Sequence, residues 1–326
     1  TYIVDYDTAG QALNLVYSGA TVGWTPSSDI VNALEPVAPT IQKAIFGYGK
    51  TSSDVSLTNL VNSSGVVATD VTGVGTARNN LAASSYGGDK AIFGYGRTST
   101  QVSMTNLVNN SGVVATDVSG VGTARQSLAA ASYGGDKAIF GYGTDSSLTN
   151  LVTNQGVVGN DVSGVGTARN DLAAASYGGD KAIFGYGYYY SGGVVNYSLT
   201  NKVSNSGVVA SDTTGVGTAR YLLAAAGYGG DKAIFGFGTT GSVTGLTNLV
   251  SNTGVVASNV SAVGTARKGL AAAGYGGDKA IFGYGTTGSL TAITNLVNNS
   301  GVVASDVSGV GTAREKPAAA GFSYAS

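Results

Sequence analysis

Arginine and aspartate recur in this chain at a fixed spacing, as residue types that could form a charged site. An arginine ends each of six copies of Val-Gly-Thr-Ala-Arg, and an aspartate stands eight residues before every one except a single copy, where Asn259 replaces it. Such cations beside carboxylates could bind an anion, bind calcium or tie repeats together by hydrogen bonds. We expect a structural role, since arginines bonded to backbone carbonyls tolerate the exchange at Asn259. The arginines are Arg78, Arg125, Arg169, Arg220, Arg267 and Arg314.

Tyrosines form the second chemically suggestive group. Tyr188, Tyr189, Tyr190 and Tyr197 lie in one connection between two predicted strands, and Tyr221 begins the following repeat. Exposed tyrosines present flat apolar rings with hydroxyls, which suit sugar faces or protein partners. The alternative is that this long connection packs on its own repeat.

Missing residue types exclude several kinds of site. The 326 residues include no His and no Cys, which removes Ser-His-Asp triads, thiol nucleophiles, disulfides and most zinc, copper and haem sites. No calcium-loop spacing occurs among the acids. We therefore expect no enzyme, no cofactor and no metal. A glycan hydrolase without His or Cys stays open as a distant alternative, although Glu35 and Glu315 are the only glutamates.

The charge and hydropathy pattern restricts the partners. The net charge is −1 and 11% of residues are charged, so nothing favours nucleic acid. The chain contains no run of about 18 apolar residues, so we predict no membrane-spanning helix. The chain starts at Thr1 without a basic and apolar leader. We expect a processed chain or a fragment that works on a virion or outside cells, without membrane insertion.

Internal repetition organises the sequence. The string Lys-Ala-Ile-Phe-Gly-Tyr-Gly, with Phe237 replacing Tyr once, recurs at spacings of 47, 47, 44, 51 and 47 residues. Each repeat predicts four strands, illustrated by residues 128–133, 137–142, 147–152 and 156–162, with a two-residue turn at Gly134-Gly135. About 47 residues with four strands is the size of a β-propeller blade. The six copies begin at Lys43, Lys90, Lys137, Lys181, Lys232 and Lys279.

The repeats resemble a known family. An arginine, a small apolar strand, Gly-Gly-Asp-Lys-Ala-Ile-Phe-Gly-Tyr-Gly and a later Thr-Asn-Leu-Val are similar to a kelch repeat over residues 43–324. Gly-Tyr-Gly replaces the usual kelch glycine pair, and the usual fourth-strand Trp is missing. The repeats also resemble regular repeats in structural proteins of tailed marine phages. The resemblance implies a kelch-type propeller and a virion protein.

The chain ends predict how the repeats close. Residues 317–324 match the first strand of a repeat, which the copy at Lys43 otherwise lacks. We therefore predict an all-β fold, a six-bladed β-propeller of four-stranded antiparallel blades, closed by the C-terminal strand joining the N-terminal blade. A seventh, degenerate blade is the alternative, but Pro36 and Pro39 would interrupt its inner strand.

Two domains follow from this division. Residues 41–326 form the propeller, and residues 1–40 form an N-terminal arm that contains Trp24 and three of the four prolines. An arm of different composition suits docking to other virion or surface proteins. The alternative is a strap that covers the ring.

Differences between the repeats predict a binding face. The connection after the second strand and the residue pair after each arginine vary, and a four-stranded meander places both on one face. The alternative is that unconstrained loop tips drift. The predicted ligand-binding residues are Lys50, Arg97, Gln126, Tyr188, Tyr189, Tyr190, Tyr197, Tyr221 and Lys268.

These observations predict a non-enzymatic structural or binding protein. The leading hypothesis is a phage virion surface protein, a decoration or fibre module that contacts host-surface molecules or glycans through its variable face. A secreted or cell-surface lectin-like adhesin is the alternative.

Overall fold

The structure is a computed structural model. It describes residues 42–261 and 263–323, and the backbone of residues 13–17 and 24–29. The described part contains strands and no helix, and hence no helix that is long and apolar enough to cross a membrane. The chain divides into two compact units, residues 1–39 and 40–326. Most of the predicted arm, including Pro36 and Pro39, lies outside the described residues, as does Tyr324.

The strands follow one another in a repeating order. In chain order they are β1 (Leu13–Tyr17), β2 (Trp24–Asp29), β3 (Lys43–Gly47), β4 (Thr58–Val61), β5 (Ala82–Tyr86), β6 (Lys90–Gly94), β7 (Thr105–Val108), β8 (Ala129–Tyr133), β9 (Lys137–Gly141), β10 (Thr149–Val152), β11 (Ala173–Tyr177), β12 (Lys181–Gly185), β13 (Tyr188–Tyr190), β14 (Val194–Asn196), β15 (Thr200–Val203), β16 (Ala224–Tyr228), β17 (Lys232–Gly236), β18 (Thr247–Val250), β19 (Ala271–Tyr275), β20 (Lys279–Gly283), β21 (Thr294–Val297) and β22 (Ala318–Phe322).

Within the described residues these strands form six three-stranded antiparallel sheets, a pattern typical of a β-propeller-like repeat. We number the sheets as repeats: repeat 1 is β22-β3-β4, repeat 2 is β5-β6-β7, repeat 3 is β8-β9-β10, repeat 4 is β11-β12-β15, repeat 5 is β16-β17-β18 and repeat 6 is β19-β20-β21. The C-terminal strand β22 pairs with β3 along its whole length, from Ala318 opposite Gly47 to Phe322 opposite Lys43. Two further pairs, β1-β2 and β13-β14, are two-stranded.

Side-chain size follows the position of each strand. The middle strand of repeat 3 has Ala138, Ile139 and Phe140 fully buried, because neighbouring sheets cover both of its faces. The first strands are rich in alanine, and each contacts the first strands of the preceding and following repeats. Small side chains allow this close approach, which explains alanine in strands despite its low strand propensity.

A glycine at the end of each middle strand makes room for the next repeat. A Cβ atom on Gly141 would lie 2.8 Å from Cζ of Phe184. The Phe184 ring also lies 5.1 Å from the Tyr142 ring, between ring centroids. Repeats therefore pack by inserting one phenylalanine of each sheet over the glycine and aromatic ring of the sheet before it.

The turn between the first and middle strands of repeats 2 to 6 is one residue longer than predicted. Tyr133 pairs with Lys137, so Gly134, Gly135 and Asp136 form a three-residue connection. Both glycines have positive φ, at 61° and 80°. The Gly-Gly signal therefore located the turn correctly, and Asp136, which lies between the predicted two-residue turn and the predicted strand, also belongs to the connection.

The predicted fourth strand is the main correction to the fold. In repeat 3 the outer segment makes only two isolated bridges to β10, Thr149 with Val162 and Val152 with Val158. Between these bridges it has one residue more than β10, which is a β-bulge. The Asn150 side chain fills the interruption, because its Nδ2 donates to the carbonyl oxygen of Gly159 at 3.1 Å. A side-chain hydrogen bond thus replaces part of the backbone ladder.

Substitution of Gly141 tests the packing between repeats. We expect Gly141→Ala to lower the free energy of unfolding by about 1–3 kcal/mol, because the new methyl group would displace the Phe184 ring. Gly193→Ala is the matched control, since a Cβ atom there meets nothing within 4 Å. We expect the control to change stability by less than about 0.5 kcal/mol. Urea unfolding of both variants measures the difference, and equal effects would contradict the proposed contact.

Candidate functional site

The repeated arginines are fully buried at the boundary between repeats. Arg78 has no exposed surface. Its Nε donates to the carbonyl oxygen of Tyr95 at 2.9 Å and its Nη2 donates to Oδ1 of Asn106 at 2.7 Å. Its guanidinium lies 4.4 Å from the centroid of the Tyr48 ring in the preceding repeat. The side chain therefore joins two repeats and has no surface with which to bind a dissolved anion.

The same stacking occurs at every arginine. The ring beneath the guanidinium is a tyrosine in all copies except one, where Arg267 lies 4.4 Å from the centroid of Phe237. Burial lowers the pKa of Arg78, and the nearby Tyr48 and Asp117 oppose that shift. Burial lowers the pKa of Arg267 to about 10, with Asp306 opposing. Arg267 therefore remains charged at neutral pH.

The repeated aspartates accept hydrogen bonds from the crossover segment. Each one binds the crossover that leads into its own repeat. The Asp117 carboxylate accepts hydrogen bonds from the backbone N–H of Thr76 at 3.0 Å, from its hydroxyl at 2.6 Å and from Asn106 Nδ2 at 2.9 Å. Asp117 also lies 3.9 Å from Arg78 Nη1. The acid that faces Arg78 is therefore not the one eight residues before it, but the equivalent acid 39 residues after it.

The exchange at Asn259 preserves this fastening. Asn259 Oδ1 accepts from the backbone N–H of Thr218 at 3.1 Å, and its Nδ2 donates to the Thr218 hydroxyl at 2.7 Å. Arg220 keeps its bond to the carbonyl oxygen of Phe237 at 2.8 Å. A neutral amide thus performs the positioning role, because that role depends on hydrogen bonds more than on charge.

The variable segments lie side by side in each repeat. Asn79 and Arg97 exchange backbone hydrogen bonds of 3.0 and 2.8 Å, which join the pair after Arg78 to the connection after β6. Equivalent bridges join Asn170 with Tyr188, Tyr221 with Thr239, Lys268 with Thr286 and Glu315 with Lys50. In repeat 3 the N–H of Gln126 donates to the hydroxyl of Thr144 at 3.0 Å. We call these paired segments the variable surface, residues 50–55, 79–80, 97–102, 126–127, 144–146, 170–171, 188–197, 221–222, 239–245, 268–269, 286–292 and 315–316.

The predicted ligand-binding residues all lie on the variable surface but differ in exposure. Lys50, Arg97 and Tyr190 are exposed. The half-buried ones are Gln126, Tyr188, Tyr189, Tyr197, Tyr221 and Lys268. The structure brings Tyr188 and Tyr221 together, with ring centroids 4.9 Å apart. Lys50 and Arg97 lie in repeats 1 and 2 and are not part of this aromatic cluster.

The tyrosine-rich connection forms a hairpin that the sequence pattern did not predict. Strands β13 and β14 pair through Tyr188 opposite Asn196, Tyr189 opposite Val195 and Tyr190 opposite Val194. Tyr190 is 60% exposed and Val194 is 53% exposed. Burial raises the pKa of Tyr188 to about 12, and Asp171, Asp145 and Tyr221 add to the shift. The hairpin therefore has an anchored tyrosine at its base and free apolar surface at its tip.

The predicted ligand-binding residues did not include those that surround a small cavity on the variable surface. These are the second members of the variable pairs, Asn80, Ser127, Asp171, Leu222, Gly269 and Lys316, with the residue that follows each one. Each of the six has a φ between 47° and 60°. A varying residue before a constant leucine was visible in five repeats, but nothing in the sequence showed that these positions converge.

The aspartate that follows the Gly-Gly turn makes a surface pair with the next lysine. Asp136 and Lys137 lie 3.1 Å apart with both side chains well exposed, and four other repeats have the same pair. Within the described residues no three His, Cys, Asp or Glu side chains group in a way that could hold a metal ion.

Comparison with known proteins adds no relative. No family model matches the chain, and no curated protein matches it.

Acid sensitivity should follow from the hydrogen bonds that the aspartates accept. Burial works to raise the pKa of Asp117, but hydrogen bonds from Thr76 and Asn106 and the charge of Arg78 outweigh it and hold the pKa below 3.8. A lowered native pKa stabilises the fold above the ordinary value, and that contribution is lost as pH falls through the native value. We expect the midpoint of thermal unfolding to fall as pH drops below about 4.

Two variants separate this effect from general acid unfolding. Asp117→Asn should lower the midpoint at pH 7, and its difference from the unmodified chain should narrow toward pH 3. Asn259→Asp adds a carboxylate to the one repeat without it, so it should steepen the pH dependence. Thermal melts from pH 7 to 2.5 test both expectations, and parallel curves for all three proteins would contradict them.

Proposed function

We propose that the chain forms a closed, six-bladed β-propeller that works as a non-enzymatic binding protein on the surface of a tailed-phage virion. The variable surface would contact host-surface molecules such as glycans, and residues 1–40 would dock to other virion proteins. One observation carries the binding role: the segments that differ between repeats are held together by direct hydrogen bonds on a scaffold that hardly changes.

Closure of the propeller has support from the turns between first and middle strands. In repeats 2 to 5 a turn N–H donates to a turn carbonyl oxygen of the next repeat, and Gly276 of repeat 6 donates to the carbonyl oxygen of Gln42 in repeat 1. Ser323 then donates to the carbonyl oxygen of Asp89 in repeat 2 at 2.8 Å. Six equivalent links between six sheets favour a sealed ring, because a closed ring leaves no terminal sheet to cap.

Glycan contact has support from the tyrosine hairpin. Tyr190 and Tyr189 sit opposite valines on a two-stranded hairpin, and the stacked Tyr188 and Tyr221 hold its base. Sugars present apolar C–H faces and hydroxyls, and tyrosine offers a flat ring with a polar end. The half-buried base lowers the entropy cost of ordering the hairpin on binding.

The proposed non-enzymatic role is supported by the hydrogen bonds that the aspartates accept. The aspartates that recur at the same position of the repeats, such as Asp117, accept three or more hydrogen bonds from crossover and strand residues. A carboxylate held in this way stays ionised and is poorly suited to general acid catalysis near neutral pH. The virion part rests on the likeness of the repeats to those of tailed-phage structural proteins.

A glycan array tests the binding face. We expect the unmodified chain to bind a restricted set of glycans, and the double variant Tyr189→Ala/Tyr190→Ala to bind them at least about tenfold more weakly, a loss of about 1.4 kcal/mol or more. Val208→Ala is the matched control, because Val208 is 65% exposed in the same repeat but lies outside the variable surface. Unchanged binding by the tyrosine variant would contradict the hairpin assignment. Turnover of a bound polysaccharide would contradict the non-enzymatic role.

Immunoelectron microscopy tests the location. We expect gold-labelled antibody against the chain to decorate phage particles in native material. Antibody preabsorbed with the purified chain is the control for specific labelling. If cell envelopes or free protein carried the label and phage particles did not, the virion hypothesis would be contradicted. The lectin-like adhesin would then be the better interpretation.

A further inference from the structure

A small cavity lies where the crossovers enter the first strands. Its rim is formed by the residues two positions after the buried arginines, linked by backbone hydrogen bonds in the order Lys316, Gly269, Leu222, Asp171, Ser127, Asn80, each N–H donating to the next carbonyl oxygen. Its floor consists of buried leucines and Pro317. The volume is about 70 Å³. The cavity therefore has a uniform backbone frame, and only its rim side chains vary.

The rim carries one carboxylate and one ammonium group. Asp171 and Lys316 both line the cavity, and three hydrogen-bond links of the rim separate them. They make no ion pair with each other, and the Lys316 ammonium has no hydrogen-bond or ion-pair partner within residues 42–261 and 263–323. Two opposite charges thus share one cavity without neutralising each other by contact.

The surroundings of Asp171 make its charge costly. Burial raises the pKa of Asp171, and the Ser127 hydroxyl and the Lys316 charge oppose that shift. A carboxylate removed from water gains most from a charged partner that can reach it directly.

The charges are placed at different points of the rim. Asp171 is the rim residue of repeat 4 and Lys316 is that of repeat 1, whereas the other four, Asn80, Ser127, Leu222 and Gly269, are uncharged. Tyr188 and Tyr221 pack on each other nearby but do not line the cavity. One point of the rim thus offers a charged acceptor for an amine, and another offers a charged donor for a carboxylate.

We propose that this cavity binds a small zwitterion, with its protonated amine on Asp171 and its carboxylate on Lys316. The apolar floor and Leu222 would contact the methylene groups that connect the two charges. The ligand class is an ω-amino carboxylate or a residue with the same pair of groups. The site is separate from the tyrosine hairpin tip, and it does not depend on the virion or glycan parts of the proposed function.

Isothermal titration calorimetry on the full chain tests the site. The probes are ω-amino carboxylates from glycine to 6-aminohexanoate, with acetate and methylamine as single-charge probes. We expect one chain length to bind best, and to bind at least tenfold more tightly than either single-charge probe. Asp171→Asn and Lys316→Gln should each weaken the best probe at least tenfold. Asp136→Asn and Lys137→Gln are matched controls on an exposed pair of the same types, and should leave its affinity within twofold.

Several results would overturn the proposal. These are absence of measurable binding across the series, equal binding of all chain lengths, or binding of acetate or methylamine as tight as that of the best zwitterion. Equal losses in the exposed-pair controls would also overturn it. Thermal melts check that the cavity variants fold, and if one does not, the probe series on the unmodified chain still decides. Loss of glycan binding in the hairpin variant has no bearing on this result.

Discussion

A guanidinium without solvent contact joins each pair of neighbouring repeats, and the rest of the scaffold depends on it. Moving such a charge out of water is expensive unless its donors are satisfied and its faces are covered. Arg78 meets these needs with the carbonyl oxygens of Tyr95 and Thr76, the Asn106 side chain and the Tyr48 ring. All four partners must stand at fixed positions in two repeats, which favours little change in the repeated strings. The demand is not met equally everywhere: within residues 42–261 and 263–323, one buried guanidinium nitrogen lacks a hydrogen-bond partner in each of Arg125, Arg169, Arg220 and Arg267.

The same constraint explains where the chain is free to vary. The arginine holds the end of the crossover in place, and the buried leucine three residues later, replaced by Pro317 in repeat 1, returns the backbone to the packed first strand. Between them, residues such as Gln126 and Ser127 need only keep the backbone path. Their side chains face the rim or the surface, so exchange there costs the scaffold little. Variation is thus confined to positions that the buried charge does not use, and these positions are adjacent to one another in every repeat.

Sequence reasoning recovered much of the fold because the repeats supply their own internal comparison. The bounds of β9 and β10 were predicted to within two residues, and the tail after Arg314 was correctly assigned as the partner of the strand at Lys43. The prediction of a continuous fourth strand was wrong, because a valine-rich segment looks the same in the sequence whether or not its backbone ladder is continuous. The interruption depends on Asn150 reaching a carbonyl oxygen nine residues away, which hydrophobic periodicity cannot show.

The candidate site was predicted less completely, for a related reason. Exposed loop residues such as Tyr190 stand out by type, whereas Asp171 and Lys316 matter through their convergence from distant parts of the chain. The left-handed φ of Asp171, at 47°, is set by the rim and not by an Asn or Gly signal in its own repeat. Local sequence signals such as Asn or Gly therefore did not predict the positions where tertiary structure imposes a left-handed backbone conformation.

A scaffold of near-identical repeats presents a nearly symmetric frame, and a symmetric frame alone cannot select an asymmetric ligand. Selectivity has to come from side chains that break the repetition. The strongest departures coincide: the only hairpin inserted between middle and third strands within residues 42–261 and 263–323 belongs to repeat 4, and Asp171 precedes the first strand of that same repeat. Tyr188 and Tyr221 connect the two features physically, since they pack on each other and Tyr188 bonds to the neighbour of Asp171. Ligand selection is therefore best sought on this side of the frame, where shape, aromatic surface and charge all depart from the repeat at once.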